Sequence, residues 1–154
     1  MPTHLSPGDR APAFSATTAD GTKISLSDFK GRKNVALFFY VKDNTPGCTR
    51  EARAFRDAMA GFDATNTVVL GVSTNGAESH QRFATNNELE FPLLVDTDAK
   101  VAKSFGVLKS SGNMAERTTF LIDTDGVVRA VWPKVSITGH TGEILAKIEE
   151  LDLA

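Results

Sequence analysis

The run Val35-Ala36-Leu37-Phe38-Phe39-Tyr40-Val41 carries no charge and is rich in β-branched and aromatic side chains. A stretch of that length and content reads as a strand buried on both faces, the kind found where helices cover a sheet from two sides. The next segment tightens the constraint. Ala52, Phe55, Met59 and Phe62 recur at spacings of three, four and three, which is one apolar face of a helix. Between strand and helix lies Asn44-Thr45-Pro46-Gly47-Cys48-Thr49, with the only cysteine of the chain. Thr45 suits an N-cap and Pro46 the first helical position, so Gly47 and Cys48 are expected as the second and third helical residues. Backbone N–H groups there have no partner inside the helix, and the helix dipole favours an anion. A thiol in that place tends to ionise, whereas a lone cysteine elsewhere is more often a small buried hydrophobe.

The rest of the chain alternates strand and helix patterns. Residues 1–13 form an irregular lead-in rich in Pro and Gly. Residues 14–18 and 23–26 flank Asp20-Gly21 and read as a β-hairpin, with Ser27-Asp28-Phe29 starting a short helical turn. A strand over 66–73, bounded by Asn75-Gly76, precedes a helix over 78–89, a short strand over 91–96 and a brief helix ended by Gly106. Residues 108–116 are loop-like. Then come a strand over 117–123, a turn at Thr124-Asp125-Gly126, a returning strand over 127–132 and a helix over 139–151. Ile144, Leu145, Ile148 and Leu151 lie on one side of that helix. The alternation predicts a layered α/β sheet with helices on both faces.

Length and composition exclude several classes. With 154 residues the chain is expected to form one domain, 1–154, large enough for a core without staples. Its 17 basic and 19 acidic residues give a net charge of -2, which favours no nucleic acid partner. One cysteine excludes an internal disulfide framework and suits a reducing compartment. Residues 1–7 have no apolar core region, so no secretory leader is expected, and no apolar run approaches a membrane span. A cytoplasmic location is therefore expected. His4, His80 and His140 are scattered and make no metal pattern with one cysteine, so they are expected at the surface or in loops. Asp96, Asp98, Asp123 and Asp125 sit at turns, where aspartate caps the backbone, and a calcium-loop spacing is missing. No metal or cofactor is expected.

Lys42-Asp43-Asn44-Thr45-Pro46-Gly47-Cys48-Thr49, followed by Glu51-Ala52 and Phe55-Arg56-Asp57, closely resembles the peroxiredoxins of the bacterioferritin-comigratory-protein or Q type. Further matches lie at Gly8-Asp9-Arg10-Ala11-Pro12-Ala13-Phe14, at Val69-Leu70-Gly71-Val72-Ser73-Thr74 and at Arg117-Thr118-Thr119-Phe120-Leu121-Ile122-Asp123. The resemblance implies a thioredoxin-like fold, its central mixed sheet flanked by helices and extended by an N-terminal β-hairpin. It also implies reduction of hydrogen peroxide and organic hydroperoxides by a cysteine thiolate. An ordinary thiol, with a pKa of about 8.5, is only about 3% ionised at neutral pH. Making the thiolate dominant takes on the order of 3 kcal/mol, and a helix N-terminus gives about 0.3–1, at best about 2. A cation must supply the remainder. The resemblance assigns that part to Arg117, peroxide alignment to Thr45 and nucleophilic attack to Cys48. Glu51 matches a position that helps hold the arginine, and as a helix residue it reads equally well as solvated. Gly47 and Val41 complete the supporting positions.

Two positions depart from the family pattern. Many relatives carry a resolving cysteine five residues after the peroxidatic one, where this chain has Arg53. Five helical residues advance about 7.5 Å, and cysteines whose α-carbons lie more than about 7 Å apart cannot bridge without backbone movement. Relatives using that pair must unwind the helix; this sequence has no such requirement. A one-cysteine mechanism is expected, with an external thiol such as thioredoxin or glutathione as reductant and the protein a monomer or weak homodimer. The family proline that shields the nucleophile is Val41 here, so weakened rather than absent peroxide activity is expected. A peroxide sensor or binding module without turnover is the competing reading. A dithiol oxidoreductase is weaker, since Thr-Pro-Gly-Cys has no cysteine at its first position.

Overall fold

The computed structural model describes residues 3–110 and 114–153. Among the described residues one mixed sheet holds seven strands in the order β2-β1-β5-β4-β3-β6-β7. They are β1 (Ser15–Thr18), β2 (Lys23–Ser25), β3 (Asn34–Phe39), β4 (Thr67–Ser73), β5 (Leu93–Val95), β6 (Thr118–Ile122) and β7 (Val128–Trp132). The helices are α1 (Pro46–Asp57), α2 (Met59–Ala64), α3 (Ala77–Asn86), α4 (Lys100–Ser104) and α5 (His140–Glu150), with a 3-10 turn at Leu26–Phe29. β3 runs parallel to β4 and antiparallel to β6, and every one of its residues is buried.

Alternation along β3 divides the interior in two, because successive strand side chains point to opposite faces. Val35, Leu37 and Phe39 join Phe105 and Phe120 on one face, with Val101 and Ala102 of α4. Ala36, Phe38 and Tyr40 join the other, with Phe55 of α1, Phe62 of α2, Phe83 of α3 and Ile144 and Ile148 of α5. Phe38 stacks on Phe55 with centroids 4.3 Å apart, which presses α1 against the middle of the sheet. Cys48 belongs to this second cluster.

Several boundaries differ from the sequence pattern for identifiable reasons. The periodic stretch through Phe62 is two helices, because the Ala58 N–H is shared between the carbonyls of Ala54 and Phe55 and the turn tightens there. α3 stops at Asn86: Glu88 takes a left-handed φ of 53° and the Leu89 N–H closes back on the Ala84 carbonyl. β5 is shorter than expected, since Pro92 has no N–H and the Asp96 carboxylate instead accepts from the N–H groups of Val101 and Ala102. Within the loop-like stretch, Leu108 and Ala115 form an isolated bridge; residues 111–113 lie outside the described residues. The lead-in is pinned by Gly8 N–H to the Val128 carbonyl.

Two of the three histidines contradict their expected surface or loop placement. His80, in α3, and His140, at the start of α5, are buried because their rings have polar partners inside. His80 Nδ1 meets Asp43 and His140 Nε2 meets the Thr119 hydroxyl. Desolvation lowers the pKa of His140.

Candidate active site

After β3 the chain turns sharply, with Asn44 at φ 65°, and enters α1 through Thr45 and Pro46. Cys48 is the third helical residue, as the spacing predicts. Thr45 begins the helix with extended backbone angles, and its carbonyl accepts the first helical bond, from the Thr49 N–H at 2.8 Å. Its hydroxyl does not cap, contrary to the sequence expectation. It points back and donates to the Lys42 carbonyl at 2.9 Å, closing the turn that precedes the helix.

Arg117 stands immediately before β6, where its carbonyl accepts from the Val135 N–H and the Thr118 hydroxyl donates to the Pro133 carbonyl. Antiparallel pairing of β6 with β3 brings this strand end alongside the exit of β3, so a residue 69 positions away reaches α1. Its Nη2 donates to the Cys48 sulfur at 3.0 Å. The sulfur-bearing residue is 1% exposed, whereas the Arg117 side chain keeps 26%, so the guanidinium links an enclosed sulfur to the surface. Gly47 makes that approach possible: a Cβ there would lie 3.2 Å from Nη2 and 3.4 Å from Nη1. Gly47→Ala is therefore expected to displace the guanidinium by a few tenths of an ångström and lower the peroxide rate constant of Cys48 by up to about tenfold. Stopped-flow peroxide oxidation of the variant measures this, and an unchanged rate constant would show that the contact tolerates the methyl group.

Glu51 lies one turn beyond Cys48 and is buried rather than solvated. Its Oε1 is 3.4 Å from Arg117 Nε, yet neither carboxylate oxygen nor that Nε makes a hydrogen bond. Burial pushes the Glu51 carboxyl up to about 8, the Arg117 charge opposing this only in part. At neutral pH the side chain is therefore largely a neutral acid, which leaves the guanidinium charge to act on the sulfur. Val41 is half-buried and packs against the apolar cluster that contains Cys48. Arg53, where relatives place a resolving cysteine, donates from Nε to Asn87 Oδ1 at 2.8 Å, and Arg56 donates to the Asn87 carbonyl at 2.9 Å. These two arginines tie α1 to the end of α3.

Sequence reasoning assigns no part to a polar cluster directly behind the site. The Asp43 carboxylate is shared by Tyr40, Ser79 and His80, all buried or half-buried. Burial and the neighbouring Asp43 charge raise the Tyr40 pKa well above its ordinary value, so this phenol remains a donor. Among the described residues no group of His, Cys, Asp and Glu is placed to hold a metal ion. Nor is any helix there long and apolar enough to cross a membrane.

A lone thiol at a helix head, held by an arginine, suits a thiol-based redox protein. Comparisons with known proteins narrow this class. The model of the AhpC/TSA family matches residues 7–131. A putative peroxiredoxin bcp of Coxiella burnetii is 44% identical over 147 residues, covering 92% of this chain and 97% of that one. The crystal structure of peroxidoxin BcpB from Mycobacterium tuberculosis superposes with a TM-score of 0.90 at 35% identity, covering 96% of this chain and 99% of that one. The bacterioferritin comigratory protein of Xanthomonas campestris, studied for its alkyl peroxide reduction activity, gives 0.83 at 31% identity, covering 90% and 91%. The chain belongs to the AhpC/TSA family, as a peroxiredoxin of the bacterioferritin comigratory protein or Q type with the thioredoxin-like fold of that family. It is a thiol peroxidase, reducing peroxides at the expense of a thiol.

Proposed function

We propose that Cys48 is the peroxidatic nucleophile and that Arg117 keeps it ionised and receives the peroxide. The observation that carries this is the 3.0 Å contact between Arg117 Nη2 and the Cys48 sulfur at the head of α1. The thiolate attacks one peroxide oxygen; an S–O bond forms, the O–O bond breaks, and the leaving oxygen departs as water or alcohol once it takes up a proton. Cys48 is then a sulfenic acid. The planar Arg117 fork can hold the sulfur through one N–H and the incoming oxygen through another. Thr45, at the edge of the site, aligns the peroxide once its hydroxyl leaves the Lys42 carbonyl or shares it. Glu51 supports the Arg117 stem, Gly47 gives the guanidinium room, and Val41 covers part of the pocket in place of the family proline.

The chain has no second cysteine, so an external thiol completes the cycle. It attacks the sulfenic sulfur and expels water, and a second thiol attacks the resulting mixed disulfide, forming the external disulfide and restoring Cys48 as the leaving thiolate. Thioredoxin and low-molecular-weight thiols such as glutathione are the two reductant classes, acting on a one-domain cytoplasmic protein that is a monomer or weak homodimer. Peroxide consumption followed with each reductant tests this. Turnover well beyond one peroxide per chain is the expected result. Oxidation that stops at one equivalent with either reductant would instead identify a sensor.

A further inference from the structure

Between β3 and α1 the chain runs through Val41, Lys42, Asp43, Asn44 and Thr45, and this turn sets where the Thr45 hydroxyl stands. Lys42 and Asn44 are exposed, while Asp43 between them is only 4% exposed. Its contacts leave the turn in three directions. Its N–H donates to Asn75 Oδ1 at 2.9 Å, in the segment joining β4 to α3. Its Oδ1 accepts from the Tyr40 hydroxyl at 2.6 Å, just past the end of β3. Its Oδ2 accepts from the Ser79 hydroxyl at 2.8 Å and faces His80 Nδ1 at 2.7 Å, both on α3.

His80 is fully buried, and its other nitrogen, Nε2, lies 2.8 Å from the Leu94 carbonyl of β5. A carbonyl only accepts, so Nε2 carries a hydrogen. A carboxylate oxygen and an imidazole nitrogen at 2.7 Å likewise need a hydrogen between them, whichever of the two owns it. The pair therefore holds a proton in a fully enclosed place, where an unshared charge would be costly. Nothing in the peroxide chemistry itself uses it. What the pair does is bolt the turn to α3 and, through Leu94, to β5.

Resting on the reading of Cys48 and Thr45 above, we propose that Asp43 and His80 are positioning residues for peroxide reduction, fixing the turn that aims the Thr45 hydroxyl at the sulfur. Thr45 itself is tied to this turn by its bond to the Lys42 carbonyl, one residue before Asp43. A misplacement of about 1 Å in an aligned site can cost about 100-fold in rate. The ionisation of Cys48, by contrast, depends on α1, seated on the sheet through the Phe38–Phe55 stack, and on Arg117, with which neither Asp43 nor His80 makes a bond. Losing the pair therefore separates two reactivities that a general loosening of the fold lowers together.

The test compares two single-turnover rate constants of Cys48, with hydrogen peroxide and with iodoacetamide, in native protein, Asp43→Ala and Asp43→Asn. Iodoacetamide reports the thiolate without requiring peroxide alignment. Asp43→Ala is expected to lose about 10–100-fold with peroxide and less than about threefold with iodoacetamide. Asp43→Asn is expected to recover most of the loss, because its Oδ1 accepts from Tyr40 while its Nδ2 donates to both His80 Nδ1 and Ser79 Oγ. Equal loss of both rate constants in Asp43→Ala, or loss of neither, overturns the proposal. Should Asp43→Ala fail to fold, His80→Gln keeps a donor near the Leu94 carbonyl and gives up the bond to Asp43, and the same two rates decide. A native protein that does not react with peroxide overturns the Cys48 reading itself and the proposal with it.

Discussion

Replacing Arg117 with alanine lowers the rate constant for oxidation of Cys48 by hydrogen peroxide by about 100- to 1000-fold. The size follows from removing one preorganised donor at a site of developing charge, about 2.7–4 kcal/mol. Arg117 Nη2 is bonded to the sulfur, and its neighbour Glu51 is largely neutral below about pH 8, so little else offsets the guanidinium charge. The helix head remains in the variant, and its about 0.3–1 kcal/mol accounts for the residual rate. Arg117→Lys is expected to recover only part of the loss, because an ammonium presents a point charge where the planar fork holds sulfur and oxygen together. Stopped-flow kinetics of the three proteins at about pH 7 measure the series. Equal rates in native protein and Arg117→Ala would remove Arg117 from the mechanism.

Glu51→Gln is expected to make the protein more resistant to unfolding above about pH 8 while changing little at about pH 5. The folded protein holds the Glu51 carboxyl at about 8, against 4.5 for an unperturbed glutamate, because the side chain is buried. Between those values the folded chain binds a proton that the unfolded chain releases. Stability therefore falls as pH rises through this window, and the full penalty, on the order of 5 kcal/mol, is present above about pH 8. Glutamine matches the shape of the neutral acid and has no proton to lose. Urea denaturation of both proteins at about pH 5 and about pH 9 separates the cases: the native midpoint should drop relative to the variant at the higher pH. Parallel pH profiles would mean that Glu51 is ionised and paired with Arg117 throughout.

Much of this architecture is legible in local pattern. The apolar run through Phe39 reads as a strand covered on both sides, and Asp20-Gly21 and Asp125-Gly126 mark the two hairpin turns. Thr45-Pro46 places Cys48 as the third residue of α1. Tertiary facts are legible only in part. Spacing alone does not bring Arg117 to Cys48, because their meeting depends on the antiparallel register of β3 with β6; the family resemblance supplies that pairing. Glu51 is ambiguous in sequence since a helical glutamate normally faces water, although its neighbours Ala52 and Phe55 belong to the buried face. His80 escapes a sequence reading for a similar reason. It stands three residues before Phe83 on the inner face of α3, a visible periodicity, but its burial depends on Asp43, which no pattern along α3 reveals. The breaks at Ala58 and Asn86 likewise come from a shared N–H at Ala58 and a left-handed Glu88 rather than from apolar spacing.

Every step of the proposed cycle depends on Cys48 being the residue that peroxide oxidises. Treating the native protein with one equivalent of hydrogen peroxide in the presence of dimedone, then locating the adduct by peptide mass spectrometry, tests this most directly. The predicted result is a dimedone adduct on Cys48 in nearly every chain, formed within the time the peroxide takes to disappear. Recovery of Cys48 as an unmodified thiol after the peroxide has been consumed would contradict it.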